Sequence, residues 1–92
     1  MNLKNIAKEI EMNQDNFDFQ NSTISIEHAT TNMYNAEEYI KILLDEKQTR
    51  LKQTNIERFA YYCKCYNLDF WIIKEPFSIY VWKDTQGVDS HA

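Results

Sequence analysis

Leu3, Ile6, Ala7 and Ile10 recur at the i, i+3, i+4, i+7 spacing of one helical face, which predicts a short amphipathic helix over residues 2–13. From Phe17 the apolar period shortens to two. Phe17 and Phe19 flank Asp18, Ile24 and Ile26 flank Ser25, and the polar run Gln20-Asn21-Ser22-Thr23 lies between. That is the pattern of a β-hairpin with one apolar face.

The helical period returns in AEEYIKILLDEKQTRLK, residues 36–52. Asn35 and Glu38 have the spacing of a capping box, acids fill the first turn and cations the last, and Ile40, Leu43, Leu44 and Leu51 line one stripe. Ile56, Phe59, Ala60 and Cys63 fall more than about 90° around from that stripe, so one straight helix cannot aim both at a single core. Thr54-x-x-Glu57 has the form of a second capping box. The pattern therefore predicts a break and a new helix over 55–67. After Asn67 the period is two again. FWIIK and SIYVWK flank Glu75-Pro76-Phe77 and read as a second hairpin, with the proline in its turn.

That second hairpin departs from the one-sided alternation expected of a sheet covering one core. Phe70 and Ile72 share one face while Trp71 and Ile73 share the other. Ile79 and Val81 oppose Tyr80 and Trp82 in the same way. Both faces are apolar, and a chain of 92 residues has little polypeptide with which to build three layers. If Trp71, Tyr80 and Trp82 share an uncovered face, they expose roughly 450–700 Å², at about 150–250 Å² per ring. The competing arrangement folds the N-terminal helix over this face through Leu3, Ile6 and Ile10.

The length is that of one domain, expected over residues 1–84 with a polar, flexible tail over 85–92. The expected fold is α+β, a single small domain of element order α-β-β-α-α-β-β, with two antiparallel hairpins and helices packed beside the sheet. No apolar run reaches the ~20 residues of a membrane helix, and the N-terminus lacks a secretion signal's apolar block. The only two cysteines, Cys63 and Cys65, are too close to bridge each other without strain. The expected compartment is the cytoplasm. Charge is uneven: residues 1–46 carry three basic and nine acidic groups, residues 47–92 seven basic and five acidic. The total of −4 opposes bulk attraction to nucleic acid. Abundant Asn, Ile, Lys and Tyr, with one Gly and one Pro, is a usage that accompanies A/T-rich genomes such as those of phages and mobile elements.

Candidate chemistry is sparse. His28 and His91 are the only histidines, and nothing in the sequence orients His28 toward Cys63 or Cys65. On a helix the two thiols of Cys-x-Cys point about 200° apart, so they cannot share one metal ion. Gly87 is the only glycine, which leaves no phosphate-cradling loop. No enzyme activity, metal or cofactor is expected.

What remains is binding. The sequence predicts a small non-catalytic inhibitor or adaptor, of phage or mobile-element type, docking on a protein partner or on a second copy of itself. Trp71, Tyr80 and Trp82 would anchor, with Tyr61 and Lys64 setting orientation. The alternative is a winged-helix-like nucleic-acid-binding regulator using Arg50, Lys52, Arg58 and Lys64 of the basic helical region 47–64.

Overall fold

The computed structural model describes residues 2–29 and 38–83. They form α1 (Leu3–Met12), α2 (Gln14–Phe17), β1 (Thr23–His28), β2 (Glu38–Leu43), α3 (Gln53–Cys65), β3 (Leu68–Lys74) and β4 (Phe77–Lys83). The four strands make one antiparallel sheet of order β1-β2-β4-β3, with the three helices on one of its faces. The α+β class is the one the sequence predicts, and so is the second hairpin, β3–β4; the first antiparallel pair is instead β1 with β2, not the expected pairing of Phe17–Phe19 with Ile24–Ile26. The expected tail, 85–92, lies outside the described residues.

The N-terminal helix forms where its periodicity places it. Asn2 caps α1 by accepting a hydrogen bond from the Asn5 amide at 2.9 Å, and Ile6 and Ile10 are buried on the predicted stripe. Asn13 closes the helix through its own side chain, donating to the Glu9 carbonyl at 2.8 Å. Phe17 and Phe19 are not a strand. Phe17 ends the single-turn α2, and Asp18 then turns the chain at φ 64°. Both rings enter the core, each 5.1 Å from Phe59 in edge-to-face contact. The left-handed positions Asp18, Asn21 and Asn67 carry Asp or Asn, the non-glycine residues that tolerate this region best.

The largest correction concerns residues 36–52, expected to be a helix. Residues 38–43 are β2, a central strand, and 44–52 is an irregular connection. Ile40, Ile42 and Leu44 are buried while Lys41 and Leu43 point the other way. The operative period is therefore two, and the β-branched Ile40 and Ile42 suit it. β2 pairs with β1 through Ile24↔Ile42 and Ile26↔Ile40, and with β4 through Ile42↔Ile79 and Ile40↔Val81. Glu38 opens this strand instead of capping a helix. Asn35, the other half of that expected box, lies outside the described residues. Asp45 turns the chain after β2, its carboxylate accepting from the Lys47 amide and its carbonyl from the Gln48 amide. The Gln48 side chain then pins the loop to the helical layer by donating to the Asp18 carbonyl at 2.8 Å.

The next helix forms near its expected place, at 53–65 rather than 55–67, but without the expected box. Its N-cap is Lys52, and Thr54 lies inside the first turn. Phe59 and Cys63 face the core, and Phe59 meets Phe70 of β3 at 5.4 Å. The second hairpin is as predicted, with Pro76 in the turn and the register Trp71↔Tyr80 and Ile72↔Ile79. The core thus lies between the three helices and the sheet face carrying Ile40, Ile42, Ile79 and Val81.

Candidate functional site

Alternate residues of every strand point away from the helices. Across the middle of that outer face runs the row Ser25–Lys41–Tyr80–Trp71, each residue in register with the next. A second row is Thr23–Leu43–Ser78–Ile73. The third pairs Glu27 with Tyr39 and Asp69 with Trp82. Trp71 and Tyr80 are thus direct cross-strand neighbours, and Trp82 shares their face.

Exposure separates the three. Trp71 stands on the edge strand β3 and is 55% exposed, Tyr80 is half-buried, and Trp82 is only 7% exposed. Position in the sheet accounts for part of the difference. A side chain on the central strand β4 has neighbours on two sides, one on an edge strand has them on one. Trp82 therefore drops out of the expected surface. The rings left on it, Trp71 and Tyr80, amount to roughly 300–500 Å² before their partial burial is counted. At their exposures the two rings leave about half of that area or less open, an amount ordinary on a monomer's surface.

Tyr39 joins them, its ring 4.9 Å from that of Tyr80. Burial, then the proximity of Tyr80 and Glu27, raises its phenol pKa, so the hydroxyl is a neutral donor around neutral pH. Leu43 and Ile73 extend the apolar surface. A helical reading of 36–52 does not place Tyr39 and Leu43 on this face. The signal was present in the alternation Ile40, Ile42, Leu44. Lys41 stands in the middle of the face, and Glu27 and Asp69 lie toward its two edges, with Glu27 accepting from the Ser25 hydroxyl at 2.9 Å.

The competing arrangement, α1 folded over these aromatics, is not the one adopted. Ile6 and Ile10 pack on the opposite face with Ile40 and Ile42. Tyr61 and Lys64 also lie away from Trp71 and Tyr80. They project from α3 in the helical layer, Tyr61 at 70% exposure, so the five residues expected to act together divide between two sides of the molecule.

The basic residues divide as well. Arg50 and Lys52 belong to the 44–52 connection, whereas Arg58 and Lys64 belong to α3. The helix pair of a winged-helix-like arrangement is absent from this region, because its first member is β2. Arg58 is tied to α2, donating to the Asn16 carbonyl at 2.7 Å, which also accepts from the Asn55 side chain at 3.0 Å.

Comparison with protein-family models, curated proteins and solved structures returns no match.

Reactive groups are dispersed. His28 pairs with Glu38 at 3.7 Å at the β1 edge, while both cysteines lie on α3, which packs over the opposite edge strand β3. Burial, with a smaller contribution from Asp69, pushes the Cys63 thiol up to about 12, the reverse of what a nucleophile needs. Among the described residues no cluster of three His, Cys, Asp or Glu side chains could hold a metal ion, and no helix is long and apolar enough to cross a membrane.

Proposed function

We propose that this chain is a small, non-catalytic cytoplasmic binding protein, an inhibitor or adaptor of the kind phages and mobile elements encode. It docks the outer face of its sheet on a protein partner or on a second copy of itself. The observation that carries this reading is Trp71, more than half exposed beside Tyr80, on a face against which none of the three helices packs. Exposed Trp and Tyr side chains are the commonest interface anchors. Among the described residues, the charges around them are one cation, Lys41, and two acids, Glu27 and Asp69. That mixed surface fixes orientation without attracting polyanions. The mechanism is steric: Trp71 fills a pocket on the partner, Tyr80 and Tyr39 close around it, and the partner surface is occupied.

The test compares the wild-type protein with Trp71→Ser and Tyr80→Ser. The wild type is expected to self-associate in light scattering, or to retain a protein partner from host lysate, equally at low and high salt, and both variants to lose that behaviour while staying folded. Undiminished association by folded Trp71→Ser defeats the reading. Retention of nucleic acid that weakens steeply with salt and depends on Arg50, Lys52, Arg58 and Lys64 would replace it with the alternative, a nucleic-acid-binding regulator.

A further inference from the structure

A second apolar surface lies in the helical layer, away from the sheet's outer face. α2 and α3 flank a groove of about 680 Å³ walled by Phe17, Tyr61, Tyr62 and Tyr66, with Arg58 and Cys65 also in its lining. The rings form a connected wall: Phe17 is 5.4 Å from Tyr62, and Tyr62 is 4.9 Å from Tyr66. Tyr62 is held in place from beneath, its hydroxyl donating to the Glu9 carboxylate of α1 at 3.1 Å.

We propose that this groove is a binding site for a small carboxylate with an apolar, ring-sized body. Three observations lead there. The volume falls in the ~300–1,000 Å³ range of small-molecule sites. Aromatic faces give an apolar ligand contact area from side chains that lose little conformational entropy on binding. Arg58 is the one cation in the described lining, and it commits only one of its five N–H donors, to the Asn16 carbonyl. No described carboxylate pairs with it. A guanidinium anchored at one corner and open at the others is suited to a carboxylate. A phosphate dianion would call for more cations than the groove offers.

Cys65 supplies the reporter. It is exposed in the groove, whereas Cys63 is buried, so alkylation of the native protein by iodoacetamide reads Cys65. The probe is 4-phenylbutyrate, with 4-phenylbutan-1-ol as its neutral counterpart. The acid is expected to slow Cys65 alkylation, and the alcohol to need roughly tenfold higher concentration for equal protection, as for loss of one charged hydrogen-bonded contact. Arg58→Gln should erase the difference between acid and alcohol, and Tyr61→Ala should weaken both. Trp71→Ser should change neither, which keeps this test separate from that of the sheet face. No protection by either compound overturns the site. Equal protection by both in the unaltered protein overturns the role of Arg58 and the carboxylate assignment. That comparison needs no variant, so it stands even if Arg58→Gln loosens α2.

Discussion

Cys63 points from α3 into the core at 1% exposure, and its thiol is displaced upward to about 12 because a buried thiolate has lost its water. Cys65, two residues on, is exposed. At about pH 8 iodoacetamide should therefore modify Cys65 alone, with Cys63 reacting only after denaturation, which peptide mass spectrometry would read directly. The same displacement carries a stability consequence. Between the ordinary thiol value of 9.0 and about 12, the unfolded chain has released the Cys63 proton and the folded chain retains it. The unfolded state then binds fewer protons, so stability is fully present below about 9 and falls as pH rises toward 12, by up to about 1.4 kcal/mol per pH unit. Tyr62 adds to the loss from about 10 upward, since burial and its hydrogen bond to Glu9 raise its phenol too. Urea midpoints should decline above pH 9, and Cys63→Val should remove the earlier part of that decline. A flat profile to pH 10.5 would contradict the buried placement of Cys63.

Strand β2 is where the helical and extended readings of one segment make opposite mutational forecasts. On a helix, Ile40, Leu43 and Leu44 would share the core-facing stripe and Ile42 would lie off it. In the sheet Ile42 is fully buried between Ile24 and Ile79, and Leu43 is on the outer face. Ile42→Ala should cost about 2–5 kcal/mol and Leu43→Ala less than about 1 kcal/mol, as measured by urea denaturation. The reverse ranking would restore the helix. This segment misleads because Ile40, Leu43 and Leu44 fit a 3.6 period while Ile40, Ile42 and Leu44 fit a period of two, and six residues are too few to separate them. The choice is made non-locally, by the ladders that β2 completes with β1 and β4. α1 and the β3–β4 hairpin are legible because their periods are unmixed and their ends are marked. α3 is legible from its stripe alone, since Phe59 and Cys63 bury without the expected capping box.

For the molecule as a whole, alternation within β3 and β4 separates Trp71 and Ile73 from Phe70 and Ile72, and Tyr80 and Trp82 from Ile79 and Val81, but the register that pairs Trp71 with Tyr80 is set by the hairpin turn. What covers each face could not be read in advance. Alternation assigns Trp82 to the same side as Tyr80 but carries no information about its enclosure, and nothing local to α3 says that Tyr61 and Lys64 stand on the other side of the sheet. The two-layer arrangement gives the residues of this chain unequal duties, and that inequality is measurable. Phe59 contacts Phe17, Phe19 and Phe70 at 5.1–5.4 Å, joining α2, α3 and β3. Phe59→Ala should therefore remove about 3–5 kcal/mol, a large part of the ~5–15 kcal/mol that a small domain possesses. Trp71 is a larger side chain, yet its cross-strand contact with Tyr80 on an edge strand is worth no more than about 1 kcal/mol to folding. Trp71→Ser should then lower the urea midpoint much less than Phe59→Ala while abolishing association. If Trp71→Ser destabilises as much as Phe59→Ala, the ring serves the fold, and the outer face would no longer require a partner to account for it.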